Sequence, residues 1–104
     1  MNREEIIYHF RLHKEDSASI CVEIGLLSEK IFRLEEFIRS LRSDASSFFS
    51  YRLRLIQFVE SRRRLLNLLL STNIKMYKQV TGVMKKMGFD GSGRYNRSHF
   101  NRNP

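Results

Sequence analysis

Three consecutive arginines, Arg62, Arg63 and Arg64, run directly into a block of leucines within residues 59–70. A guanidinium stays charged at any physiological pH and offers a planar fork of N–H donors that suits phosphate oxygens. The chemistry available here is therefore neutralisation of a polyanion. On a helix, successive side chains step about 100° around the axis, so three adjacent arginines fan over most of one side. Leu65, Leu66, Leu69 and Leu70 must then turn the other way, into a core. Arg52 and Arg54 extend the same basic segment upstream. The competing reading is a solvated basic stripe with no dedicated ligand.

Catalytic arrangements are missing. The chain has no glycine-rich phosphate loop, no His-Glu-x-x-His and no Gly-x-Ser-x-Gly. His9 and His13 are four residues apart, on one helix face, but no third ligand accompanies them, so a surface pair is the better reading than a metal site. Glu35 and Glu36 are adjacent and point about 100° apart, which rules out a facing carboxylate pair. The single cysteine, Cys21, excludes an internal disulfide and reads as a small buried apolar residue. No enzyme, no cofactor and no metal are expected.

Charge distribution points to the ligand class. Residues 1–36 hold 5 basic and 8 acidic groups, a net −3, whereas residues 37–104 hold 14 basic and 3 acidic groups, a net +11. Such a field draws a polyanion to the C-terminal two thirds. Phosphates fit best, because basic side chains bind them by releasing counterions. At 104 residues the chain supports one modest core. No apolar run approaches the roughly 20 residues of a membrane span. The acidic opening, MNREE, resembles neither a secretory signal nor an intact mitochondrial presequence. No membrane, no small-molecule substrate and no homo-oligomer are expected.

With one proline and five glycines, and no alternating polar and apolar runs, the elements that position these residues must be helices. Residues 3–13 place Ile6, Ile7 and Phe10 on one side of a short amphipathic helix. Ser19 is the best N-cap for the next helix, with Ser17 or Asp16 as substitutes. That helix runs over 20–43, and Ile20, Ile24, Leu27, Ile31, Leu34, Ile38 and Leu41 form a heptad seam. Gly25 beside the seam lowers helix propensity by ~1 kcal/mol relative to alanine and allows close approach of a neighbour. Residues 43–47 make the turn. A helix over 48–70 faces Tyr51, Leu55, Phe58 or Val59, Leu66 and Leu69 or Leu70 inward. Ser71, Thr72 and Asn73 make the next break, with Thr72 or Asn73 as cap. The last helix, from residue 74 to about 87, turns Met76, Val80, Val83 and Met87 inward and stops at Gly88. The fold expected is all-α: an antiparallel bundle of three long helices and a short N-terminal one, within a single domain over 1–89.

Residues 90–104 form a separate basic tail in which Arg94, Arg97 and Arg102 alternate with Tyr95, His99 and Phe100. It cannot bury enough apolar surface to fold alone and stays extended or disordered until bound. Arginine interleaved with aromatics suits phosphate contact and base stacking, or simply a solubilising tail.

These elements together resemble the family of small-subunit ribosomal protein fifteen. The correspondence runs without gaps from about His9 to Ser47, then with small insertions to Phe89. The family opens its first long helix with Asp-Thr-Gly-Ser-x-Glu-Val-Gln and then Leu-Leu-Thr. Here the chain reads Asp16-Ser17-Ala18-Ser19-Ile20-Cys21-Val22-Glu23, then Leu26-Leu27-Ser28. Lys30 and Ile31 stand where the family has a basic residue and isoleucine. The family's turn motif, His-x-x-x-His-x-x-Asp-x-x-Ser, falls on Phe37, Leu41, Asp44 and Ser47, so both histidines are replaced. Its Val-x-x-Arg-Arg-x-Leu-Leu-x-Tyr-Leu matches residues 59–69 except at the tyrosine, where Leu68 stands. Its Arg-Tyr-x-x-Leu-Ile becomes Met76-Tyr77-Lys78-Gln79-Val80-Thr81, and its Leu-Gly-Leu becomes Met87-Gly88-Phe89.

The resemblance implies a structural constituent of the small ribosomal subunit that binds a helical junction of the rRNA central domain, beside neighbouring ribosomal proteins. It implies that Asp44 and Ser47 read a minor groove, where a carboxylate accepts from a guanine amino group or a ribose hydroxyl. Asp44 is alternatively a cap for the following helix. Ser17 and Ser19 act as caps, ribose contacts or both. Lys30, Arg62, Arg63 and Arg64 complete the implied RNA surface, and Tyr77 either stacks on a base or packs in the core. Arg52 and Arg54, and Arg94 and Arg97 in the tail beyond the resemblance, join the expected RNA surface by their charge. The eroded turn motif, the insertions and the tail suggest an organellar ribosome, mitochondrion before plastid, with a bacterial cytoplasm as the alternative. A helical adaptor, whose seam pairs with a partner protein, is the rival from another class.

Overall fold

The computed structural model describes residues 2–11, 19–42, 44 and 46–89, and all the regular structure among them is helical. Four helices follow in order: α1 (Arg3–Phe10), α2 (Ile20–Ser40), α3 (Phe48–Thr72) and α4 (Ile74–Lys86). The helices α2 and α3 form the principal hairpin, and α1 and α4 pack against it and touch each other.

Local chemistry sets the boundaries. Asn2 and Glu5 form a capping box: Glu5 N donates to Asn2 Oδ1 (2.8 Å) and Asn2 N donates to Glu5 Oε1 (3.0 Å). The helix stops at Phe10, three residues earlier than the periodicity suggests, because Arg11 adopts an extended backbone. Ser19 caps α2 as expected, with Val22 N donating to its Oγ at 3.2 Å. At the far end Ser40 Oγ donates to Phe37 O (2.6 Å), Leu41 turns extended, and α2 ends short of residue 43. The α3 helix continues two residues beyond residue 70. The hydroxyls of Ser71 and Thr72 donate back to Leu68 O, and the break narrows to Asn73 alone. Asn73 closes α3 through Asn73 N to Leu69 O (2.7 Å) and opens α4 by accepting from Met76 N at Oδ1 (3.1 Å). After α4, Gly88 takes φ +85°. Phe89 N donates to Met84 O and Gly88 N to Lys85 O, the two bonds of a Schellman stop.

The core divides in two along the hairpin. One cluster joins Ile6 and Phe10 of α1, Cys21, Val22 and Ile24 of α2, Leu66 and Leu69 of α3, and Val80 and Met84 of α4. The other, toward the turn, holds Ile31, Ile38 and Leu55. The predicted seam is displaced by one position at alternate steps. Ile24, Ile31 and Ile38 are buried as expected, but Leu27 and Leu34 are only half-buried, and Ser28 and Glu35 are buried in their stead. The buried line Cys21, Ile24, Ser28, Ile31, Glu35, Ile38 is itself a heptad, spent inside the chain against α3. Gly25 performs the expected role: a Cβ there would lie 2.5 Å from the Phe10 ring.

Candidate nucleic-acid interface

The structure sends the three arginines to three different places. Arg62 is buried, 1% exposed, at a core position in register with Leu55, Leu66 and Leu69. Its Nη1 donates to Ser28 Oγ (3.1 Å), and Ser28 Oγ donates in turn to Ile24 O (2.8 Å). This corrects the expectation that Arg62 faces phosphate. The helical register that carries Leu55 inward carries Arg62 with it, and Ser28 supplies a polar partner from α2. Arg63 is exposed and donates to both carboxylate oxygens of Glu60, at 3.0 and 3.1 Å. Arg64 points about 160° away from Arg62 around the helix, fully outward, and is exposed. The leucines divide likewise: Leu66 and Leu69 are buried, Leu65 is half-buried, and Leu70 is exposed.

A second set gathers on one edge of the hairpin. Ser47, Tyr51, Arg54 and Phe58 recur at steps of four, three and four and share a stripe of α3. Lys30 reaches across from α2, its Nζ 5.8 Å from the centroid of the Phe58 ring. Arg54 and Lys30 are exposed, and neither forms an ion pair among the described residues. Arg52 lies over the Phe48 ring at 5.8 Å. At the head of the stripe, Ser47 is the N-cap residue of α3 but its side chain makes no capping bond. Asp44 is not the cap; it is exposed and accepts from Arg42 Nε at 3.3 Å. The Phe37 ring, at the first lost histidine position, packs edge-on against Tyr51, with centroids 5.0 Å apart.

The remaining expected residues fall elsewhere. Ser19 is committed to its cap. Tyr77 is half-buried against the larger cluster, so its ring is at least in part a core element. Ser17, Arg94 and Arg97 lie outside the described residues, as does His13. Among the described residues no group of three His, Cys, Asp or Glu could hold a metal ion. Among the described residues, no helix is long and apolar enough to cross a membrane. The buried Ser28–Arg62 contact escaped the sequence reading. Its signal was a gap in the inward register of α3 between Phe58 or Val59 and Leu66, which Arg62 fills.

Comparison with known proteins gives one consistent answer. A family profile described as "Ribosomal protein S15" matches residues 3–86. The chain is 40% identical over 89 residues to the "Small ribosomal subunit protein uS15" of a Nitratiruptor species, covering 86% of this chain and 92% of that one. It is 38% identical over 78 residues to proteins of the same name from Chlamydia trachomatis serovar L2 and Chlamydia pneumoniae, covering 75% of this chain and 83% of theirs. These relatives are bacterial and give the organellar expectation no support.

Proposed function

Since the chain belongs to the ribosomal protein S15 family, we propose that it is a structural, non-enzymatic constituent of the small ribosomal subunit that clamps a helical junction of the central-domain rRNA. The observation that carries this reading is the hairpin edge. Ser47, Arg54 and Lys30 lie along one side of α2–α3 with Asp44 at its end, which combines groove-reading groups with cations on a rigid scaffold. Arg64 and Arg52 extend the positive field, and Arg63 joins it if phosphate displaces Glu60. With Arg62 in the core and two turn-motif histidines replaced, phosphate contacts bear more of the binding than base reading does. RNA recognition by shape and backbone suits that division. Arg94 and Arg97 add an outlying basic contact from the tail.

The partners proposed are the rRNA and neighbouring ribosomal proteins. Between the compartments expected from sequence, the bacterial relatives support a bacterial cytoplasm rather than a mitochondrion. The test is titration of the full chain with a transcript of the central-domain junction from its own source. Tight binding at low salt, falling steeply as salt rises, is expected. Indifference to that RNA, with retention of a protein partner instead, would overturn the reading in favour of a helical adaptor. Co-sedimentation with small subunits checks the same point in extracts.

A further inference from the structure

Among the described residues, nothing requires Gly82 to be glycine. Gly25 makes room for Phe10, and Gly88 takes a left-handed backbone. Gly82 lies inside α4 with an ordinary helical backbone, and a Cβ there would meet nothing within 4 Å among the described residues. Glycine is a poorer helix former than any residue but proline, so the helix is weakened with no compensation among the described residues. What surrounds the position suggests the reason. Gly82 lines a groove of about 520 Å³ between α1 and α4, together with His9, Arg11, Lys78 and Lys86, and no carboxylate of the described residues lines it. Lys78, Gly82 and Lys86 recur every four residues and share one face, so the glycine is a bare stretch of backbone between two cations. Both lysines are exposed, and neither forms an ion pair among the described residues.

We infer that the α1–α4 groove is a second RNA contact, in which a sugar–phosphate strand passes over the backbone of Gly82 between Lys78 and Lys86, with His9 and Arg11 on the opposite wall. The chemistry favours a nucleic-acid strand over an acidic protein. A carboxylate side chain reaches a lysine on its own flexible stem and needs no bare backbone beneath it. A phosphodiester strand is bulky next to its charges, and close approach requires the absence of a side chain. This inference rests on the rRNA reading above and adds a site apart from the α2–α3 edge.

The experiment uses the full chain and the junction transcript from its own source's rRNA. Gly82→Ala should raise the melting temperature of the free protein by about 4–8 °C, as restored helix propensity does in a domain of this size, while weakening RNA binding at least tenfold. Lys78→Gln with Lys86→Gln should flatten the slope of log affinity against log salt by about 1.4–1.8, as loss of two phosphate contacts requires. A Gly82→Ala protein that binds as tightly as the wild type, or an unchanged salt slope in the lysine variant, overturns the groove assignment and leaves the rRNA reading intact. A wild-type chain that ignores the transcript overturns both.

Discussion

Arg62 and Ser28 meet inside the α2–α3 interface, both 1% exposed, with the guanidinium donating to the hydroxyl at 3.1 Å. The pair lies along the hairpin where one apolar cluster gives way to the other. Desolvating a guanidinium is costly, and the Ser28 hydroxyl meets one of the buried Arg62 donors. Arg62 is therefore tied to the fold in a way its two neighbours are not.

The first prediction separates the three arginines. Arg62→Ala should destabilise the protein by about 2–4 kcal/mol, from the lost charge-assisted hydrogen bond and the space vacated. Arg63→Gln and Arg64→Gln are surface changes and should stay within about 0.5 kcal/mol, yet weaken RNA binding and its salt dependence. Denaturant melts beside RNA titrations read both effects. Equal melting midpoints for all three variants would show that Arg62 is not structural.

Ser28 gives a companion test. Ser28→Ala removes the oxygen that accepts from Arg62 and should cost about 1–3 kcal/mol, since the donor it leaves is buried. Combined with Arg62→Met, much of that loss should vanish, because no donor then remains to be satisfied. Strict additivity in the double-mutant cycle would sink the coupling.

Gly25→Ala should destabilise by about 1–3 kcal/mol, although alanine is the better helix former, because the new methyl meets the Phe10 ring. Phe10→Leu in that background should recover part of the loss. A Gly25→Ala protein that melts higher than wild type would mean that α1 does not seat there.

Asn73 serves two helices at once. Asn73→Ala should cost about 1 kcal/mol through loss of the bond to Met76 N, whereas Asn73→Asp should be close to neutral, since a carboxylate accepts the same bond at a positive helix end. Chemical denaturation of the three proteins side by side is sufficient.

Much of the fold was readable from periodicity and caps. Ser19 and Gly88 mark their helix ends because capping chemistry is local, and Ile24, Ile31 and Ile38 declare a buried face by spacing alone. The buried polar line was not readable in the same way. Hydrophobic patterning assigns Ser28, Glu35 and Arg62 to the surface, so the seam drawn from sequence shifted to Leu27 and Leu34. Burial of an arginine depends on what α2 places opposite it, which is tertiary information. The candidate interface was legible as a basic field, but which cations face outward required the register of α3. The turn, where Ser47 begins the helix rather than Asp44, depended on backbone angles that residue types leave open.

The short first helix has a consequence for how the molecule behaves in solution. Eight residues are fewer than the roughly 12–15 that a helix needs to persist alone in water, so α1 is held by the insertion of Ile6 and Phe10, the latter over Gly25. That insertion acts as a latch. When it opens, the wall carrying His9 and Arg11 leaves with it, and the α1–α4 groove ceases to exist. Slow amide hydrogen exchange in α1 and an assembled groove are thus two readings of one local equilibrium, and any ligand held in the groove must draw that equilibrium closed.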